Sequence, residues 1–381
     1  MSAAEEGFLG GTPMSIAALD RRELQSERTP IDVTWAGNPW RLTGLCFLNL
    51  LLIVITVGIY WFWARAEYRR YMWQMVRVNG EPLEYTGTGK ELFIGYLKLF
   101  LFVILPAILI IAGAQLALGQ QNPAIAIVIL IFYAGFFYLY FVGVYRAHRY
   151  ILSRTRWRGI AFGLGGYASG YAWTSIWTAI VGGLTLGWLL PWRTVALRRR
   201  IVSAMHFGSA PLRYEGRAGP LYVPFIFAWF VSAAIMGAYL AIIISIAPNM
   251  QLGQEANIRY SDLPHLAIWI IAAAIPLGIV AGSWFEARKL NLYARATKFG
   301  GAGAHLEASA GSILWLTVSN FLILTLTLGI LRPVTQARRL KYIVTRLSFS
   351  GSADLDEVLR GAELEGSQGA GLETAFSIEI F

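Results

Sequence analysis

The chain has 381 residues, of which 56% are hydrophobic and only 14% are charged. Soluble globular proteins carry about 25% charged residues, so this composition excludes an ordinary soluble domain and favours a membrane protein. The net charge of +10 does not indicate nucleic acid by itself, because basic residues of membrane proteins gather on the cytoplasmic side.

The apolar residues are concentrated in blocks that begin after a polar N-terminus. Residues 1–31 are mixed in charge, and we expect a disordered tail without a signal peptide, which would need a basic start followed by an apolar stretch. Seven nearly charge-free blocks follow, each long enough to cross the hydrocarbon core as a helix of about 20 residues: 42–64, 92–118, 123–145, 171–192, 219–247, 264–285 and 311–331.

The distribution of charge predicts which side of the membrane each connection occupies. Loop 119–122 has no Lys or Arg and loop 248–263 has only Arg259, so these loops should face outward, and the basic connections and both termini should be cytoplasmic. Three blocks have basic residues at both ends: 42–64, 171–192 and 311–331. We therefore expect four full crossings and three bent or re-entrant segments, the alternative being seven ordinary spans.

The same junction recurs in the three blocks with basic flanks. A Thr is followed by Val or Leu, then Gly, then apolar or aromatic residues, and then a basic run. Because glycine adopts backbone angles that other residues avoid, we expect hinges at Gly58, Gly187 and Gly329. The first two junctions align without gaps, with nine identities between 56–87 and 185–216.

These alignments predict a repeated unit. Each unit begins with a short strand and continues through a bent apolar segment, a basic helix and a second strand; a pair of long helices follows in the first two units. The predicted fold class is an all-α polytopic membrane protein with internal repeats, basic amphipathic helices and short cytoplasmic strands. The predicted divisions are a tail at 1–31, units at 32–160 and 161–304, a truncated third unit at 305–358, and an acidic tail at 359–381.

Two stretches of the first unit carry a resemblance to a known family. TVGIYWFWARAEYRRYMW begins at Thr56, and EYTGTGKEL begins at Glu84. With these motifs the chain resembles the YjgN-like bacterial inner-membrane proteins, which contain a domain of unknown function. The resemblance covers roughly residues 32–358, although Leu331 to Val334 replace the aromatic run in the third unit. It implies a multi-pass protein of the bacterial inner membrane and supplies no catalytic residue.

No motif in the sequence indicates catalysis. YTGTGKEL is not a Walker loop, because Glu84 stands where the first glycine is needed and Glu91 replaces the required Ser or Thr. The four histidines have neither metal-ligand spacing nor cysteine partners, and a single cysteine, Cys46, forms no internal disulfide. We expect a protein that is not an enzyme and that has no catalytic residue, cofactor or metal.

Three polar residues stand at matching places, seven residues before the junction threonines: Asn49, Thr178 and Asn320. If the units pack about an axis, these side chains would form a small polar site. Hydrogen bonding between helices is the alternative, and such side chains commonly serve it.

A basic run follows every junction, and nine of its residues are predicted to face lipid: Arg65, Arg69, Arg70, Arg198, Arg199, Arg200, Arg338, Arg339 and Lys341. Anionic headgroups of the cytoplasmic leaflet attract such charges. The predicted partner is therefore anionic membrane lipid rather than nucleic acid, with the acidic C-terminal tail as the competing partner.

The sequence leaves two functions open. The first is membrane or lipid organisation by the basic helices. The alternative is a small-solute channel or carrier built from inexact repeats, since repeats and broken helices are common in transporters. The long helices contain no Asp, Glu or Arg at their centres, which argues against ion coupling. The sequence is compatible with a homo-oligomer and indicates no particular protein partner.

Overall fold

A computed structural model of the protein describes residues 31–119, 122–252 and 262–351. The predicted N-terminal tail, apart from its last residue, and the acidic C-terminal tail therefore lie outside the described residues. Most of the outward loop predicted at 248–263 lies outside them as well.

Each of the three predicted bent blocks forms a pair of helices joined by a five-residue turn. The first helix of every pair has 17 residues, and none of the three blocks is one straight helix. Hairpin 1 consists of α1 (Pro39–Ile55) and α2 (Trp61–Met75). Hairpin 2 consists of α6 (Ala168–Leu184) and α7 (Leu190–Val202). Hairpin 3 consists of α10 (Ala310–Leu326) and α11 (Arg332–Val344).

The two helices of each hairpin run antiparallel, because the start of the first packs against the end of the second. In hairpin 1 the Tyr71 hydroxyl donates to the Asn38 carbonyl at 2.7 Å. In hairpin 3 the hydroxyls of Ser312 and Tyr342 lie 2.6 Å apart. The apolar side of α2, which includes Tyr71 and Met72, is buried against α1 and α11; it faces protein rather than lipid.

The four predicted crossings form helices that are long and apolar enough to span a membrane: Gly89–Ala117, Pro123–Ser153, Gly219–Ala241 and Ile268–Ala296. The first comprises α3 (Gly89–Leu99), a π-helical stretch (Phe100–Ile104) and α4 (Leu105–Leu118). Pro106 explains the irregular stretch, because a proline removes a backbone donor and its ring clashes with the preceding turn. The other long helices are α5 (Pro123–Ser153), α8 (Gly219–Leu252) and α9 (Asp262–Ala296).

The strands, which the sequence predicted only as short segments, form two sheets. Strands β1 to β3 make one antiparallel sheet, and β4 to β11 make an eight-stranded antiparallel sheet in chain order. Their bounds are Val33–Trp35, Val76–Val78, Glu81–Pro82, Glu84–Tyr85, Thr155–Trp157, Ile160–Leu164, Met205–Phe207, Ala210–Tyr214, Thr297–Phe299, Ala302–Leu306 and Leu347–Ser350. The all-α class is therefore wrong, because strands from every part of the chain pair with one another.

Tight turns and long excursions alternate along the two sheets. The two-residue turns Asn79-Gly80 and Arg158-Gly159 have positive φ at both positions, the geometry that matches the twist of antiparallel strands. Elsewhere the chain leaves the sheet through a helical hairpin or a pair of long helices and returns beside the strand it left. The helices are therefore insertions between neighbouring strands.

The hairpins and long helices also follow one another in space. Hairpin 1 packs on α3, α5 packs on α6, α7 packs on α8, and α9 packs on α10. Hairpin 3 then returns to hairpin 1, because Ala337 of α11 is buried against Leu42 and Cys46 of α1. The helices therefore form a ring, and the contact between hairpins 1 and 3 closes it at the one place where no long helices lie between two hairpins.

Candidate membrane-interface site

The tips of the three hairpins share one backbone geometry. The predicted hinges Gly58, Gly187 and Gly329 have φ of 90°, 86° and 83°. The residue before each glycine also has positive φ, near 50°, and is apolar and solvent-accessible: Val57 is 92% exposed, Leu186 75% and Leu328 90%. Each tip therefore presents an apolar side chain that the described residues leave uncovered.

The backbone donors at these tips are bonded within the turn itself. In hairpin 1 the amide of Val57 donates to Val54, that of Gly58 to Ile53, and that of Ile59 to Thr56. The Thr56 hydroxyl donates to the Leu52 carbonyl and accepts from the amide of Tyr60. Hairpins 2 and 3 repeat the threonine's bond to the carbonyl four residues back. Such internal pairing is required wherever backbone enters hydrocarbon, so the tips meet that requirement.

The nine basic residues predicted to face lipid divide into two groups. Six are exposed: Arg65, Arg70, Arg199, Arg200, Arg339 and Lys341. The other three are half-buried and turn toward protein. Arg69 donates to the Tyr85 hydroxyl at 3.2 Å, Arg338 donates to the Ser319 hydroxyl at 2.9 Å, and Arg198 lies 5.1 Å from the centre of the Tyr293 ring.

Two of the exposed arginines also have protein partners. Arg199 donates to the Gly216 carbonyl at 2.6 Å, and Arg339 lies 3.6 Å from the Glu286 carboxylate. Exposed ion pairs contribute little to stability, so Arg339 keeps most of its capacity for another anion. A lipid-facing role for the exposed group stays a prediction.

A cleft of about 400 Å³ lies between hairpins 1 and 3; we call it the seam cleft. Its apolar wall includes residues close to the hairpin tips, and two guanidinium groups, those of Arg65 and Arg332, lie in its polar part. Its lining comprises Cys46, Leu50, Ile53, Trp61, Ala64, Arg65, Tyr68, Gly329, Ile330, Arg332, Pro333 and Gln336.

The electrostatics of the seam cleft favour an anion. Although the Arg65 side chain as a whole is exposed, partial desolvation of its guanidinium, and then the positive charges of Arg69 and Arg332, lower its pKa. Like charges repel when they are brought together, and an anion between Arg65 and Arg332 would relieve that repulsion. The Arg65 guanidinium also lies 4.9 Å from the Trp61 ring, which holds it beside the apolar wall.

The sequence did not single out Arg332. The only signal was the departure of the third junction, where Leu331-Arg332-Pro333-Val334 replaces the aromatic run. That Arg332 meets Arg65 depends on the packing of α11 against α1, which no local pattern encodes.

The three matching polar residues have different surroundings. Thr178 is fully buried, and its hydroxyl donates to the Thr174 carbonyl and accepts from Arg193 Nε at 3.2 Å. Asn49 is also fully buried; no described residue meets hydrogen-bond geometry with its amide oxygen or nitrogen, although the Tyr68 hydroxyl is close enough to interact with the amide. Asn320 instead lines a cleft beside α9 that includes Glu286. Each has its own neighbours, and no contact joins the three into one site.

Two comparisons with known proteins place the chain. The model of the family described as "Bacterial protein of unknown function (DUF898)" matches residues 30–375. The chain is 36% identical over 81 residues to "Inner membrane protein YjgN" of Salmonella typhimurium, which is 21% of this chain and 20% of that protein. It is 35% identical over 100 residues to the protein of the same name from Escherichia coli strain K12, which is 26% of this chain and 25% of that protein.

The matched region therefore spans about a fifth to a quarter of these curated relatives. No solved structure matches the chain. The family match, in contrast, extends over nearly the whole chain and includes all three hairpins and both pairs of long helices. The resemblance recognised in the motifs of the first unit is confirmed, and the chain belongs to the DUF898 family of bacterial proteins of unknown function.

Proposed function

We propose that this protein is a multi-pass protein of the bacterial inner membrane that binds anionic phospholipid in the seam cleft. The relatives' name, "Inner membrane protein YjgN", and the four helices of spanning length support the location. In this proposal the three hairpins are re-entrant repeats that dip into the cytoplasmic leaflet, and both termini are cytoplasmic. The activity is lipid organisation and not an enzymatic reaction.

The seam cleft is the observation that carries the proposal. A phospholipid needs an apolar wall for its chain and a cationic group for its phosphate. Leu50, Ile53 and Ile330 supply the wall, and Arg65 and Arg332 supply two guanidinium groups. Arginine suits this role, because its planar fork pairs with two phosphate oxygens at once.

The exposed tip residues support the insertion of the hairpins. Val57, Leu186 and Leu328 would be costly in water and would be stabilised in hydrocarbon, and their turns leave few backbone donors without partners. Helices α1 and α10, with 17 residues each, are at the short limit for a full crossing. They are long enough to reach into one leaflet.

Lipid binding is tested by changing both seam arginines together, Arg65→Gln with Arg332→Gln. The matched control is Arg77→Gln with Arg156→Gln, which removes the same charge from exposed positions on β2 and β5. Phospholipid retained by the detergent-purified protein is counted by native mass spectrometry. At about 1 kcal/mol for each basic residue, the seam variant should bind anionic lipid about 10- to 30-fold more weakly. Equal losses in both variants would mean that binding depends on total charge and not on the seam cleft.

The topology has its own test, in a chain with Cys46→Ala. A cysteine introduced at Ser209, in the turn between β7 and β8, should not react with a membrane-impermeant thiol reagent added to intact cells from the periplasmic side. It should react once the cells are opened. Labelling in intact cells would place this turn outside and contradict the re-entrant arrangement.

A further inference from the structure

A second cavity, of about 410 Å³, shares no lining residue with the seam cleft. Strands of both sheets contribute side chains to it, and α7, α9 and α11 cover its remaining side. Aromatic and aliphatic side chains dominate the lining, among them Trp157, Phe207 and Phe299. The volume falls in the lower part of the range of about 300–1,000 Å³ that is typical of small-molecule sites.

Residues at corresponding positions of the aligned units converge on this cavity. Val33, Phe162 and Ala304 occupy one set of such positions, and Val78, Phe207 and Phe349 occupy another; all six line the cavity. The side chains that the aligned units bring together here are therefore apolar, and the lining does not include Asn49, Thr178 or Asn320.

One charged group lines the cavity. Arg198 reaches it from α7, and its Nε is buried without a hydrogen-bond partner. Trp157 Nε1, on another wall of the same cavity, is likewise buried and unpartnered. Buried donors are normally paired, so Arg198 and Trp157 mark polar positions of an otherwise largely apolar lining.

We propose that this cavity binds one long-chain fatty acid, with its carboxylate toward Arg198 and its acyl chain among the aromatic side chains. The apolar lining suits the chain, the single guanidinium suits one carboxylate, and the volume suits one acyl chain better than a two-chain lipid. This site is separate from the seam cleft, and neither proposal requires the other.

The test measures binding of cis-parinaric acid to the full-length protein in nanodiscs of zwitterionic lipid, with empty nanodiscs as the blank. Emission excited through tryptophan should saturate at one site per chain, and oleate should displace the probe. Oleyl alcohol, which has the same chain but no charge, should compete at least tenfold more weakly. A wild-type signal that never saturates above the blank would overturn the proposal.

Two pairs of variants locate the binding. Ala304→Phe fills the cavity and should weaken oleate binding at least tenfold, whereas Ser348→Phe, on the exposed side of the neighbouring strand, should not. Arg198→Gln should weaken oleate about tenfold and leave oleyl alcohol unchanged; Arg200→Gln, which is exposed, is its control. Size-exclusion profiles check that each variant remains folded.

The same variants separate this proposal from the lipid-binding function. The Arg65→Gln, Arg332→Gln double variant should retain full oleate binding. If it loses oleate while Ala304→Phe and Arg198→Gln retain it, the fatty acid binds in the seam cleft and the cavity proposal fails. Retention of wild-type oleate affinity by both cavity variants would overturn it as well.

Discussion

Hairpin 2 and hairpin 1 have the same turn but different surroundings. Hairpin 2 has long helices on both sides, because α6 packs on α5 and α7 packs on α8. Hairpin 1 has the long helix α3 on one side and hairpin 3 on the other. The conformation of the turn is thus a local property, whereas the environment of the helices depends on what the chain places next to them.

The difference appears in the buried polar groups. In hairpin 2, Thr174, Ser175 and Thr178 are all buried, and each hydroxyl donates to a carbonyl four residues earlier. In hairpin 1, Asn49 is buried without a partner, and Ala64 occupies the position that corresponds to Arg193. In hairpin 2 these three buried hydroxyls are therefore all hydrogen-bonded, whereas hairpin 1 retains a buried amide without a hydrogen-bond partner.

The largest effect is expected from the tip glycines. Gly58→Val and Gly187→Val should each lower the free energy of unfolding by about 1–3 kcal/mol, because a β-branched residue is strained at positive φ. The two costs should be similar, since Gly58 has open space around it and an added Cβ at Gly187 would make only an ordinary contact, at 3.4 Å, with Leu190 Cδ1. Thermal unfolding in detergent measures both.

Gly95→Val in α3 is the control for these variants. This glycine is exposed, is helical, and has nothing within 4 Å of an added Cβ. Its valine variant should be close to wild type. Equal losses at all three positions would show that the positive φ at the tips contributes nothing to stability.

The buried polar residues of the two hairpins are expected to respond differently from each other, one substitution being destabilising and the other not. Thr178→Val should lower the free energy of unfolding by about 1–3 kcal/mol, because it leaves Arg193 Nε without its acceptor. Asn49→Leu should be neutral or stabilising, because it removes a buried amide that has no partner. Chemical denaturation of the two variants compares them directly. A comparable loss in both would mean that Asn49 has a functional or structural partner.

The smallest effect concerns the ion pair between Glu215, which directly follows β8, and Lys298 of β9. Lys298 donates to the Glu215 carboxylate, and this bond, together with the Lys298 charge, lowers the pKa of Glu215. A carboxyl with a depressed pKa stabilises the fold above its unfolded pKa, about 4.3, and that stabilisation is lost as the pH falls through the folded value.

Glu215→Gln should therefore be slightly less stable than the wild type at pH 7; the difference should shrink as the pH falls below about 4.3 and vanish below the lowered pKa of the folded state. Because the ion pair is exposed, high salt should also reduce this difference in stability. Melting temperatures of both proteins at several pH values provide the measurement. A difference that persists unchanged in acid would rule out the ion pair as its source.

Local features of the chain were enough to predict the helices and their corners. Long charge-free blocks specify helices of membrane-spanning length, since hydropathy acts on each segment separately. The Thr-Leu-Gly and Thr-Val-Gly junctions predicted the corners, because the threonine bonds to its own helix and glycine tolerates positive φ. The seam cleft and the cavity could not be predicted in this way. Arg65 and Arg332 line the same cleft although they are 267 positions apart in the chain, and the lining of the cavity comes from both sheets. Strand pairing and helix packing over such distances depend on the whole fold, and so does the direction of an arginine: Arg199 and Arg200 are exposed, while Arg198 beside them lines the cavity.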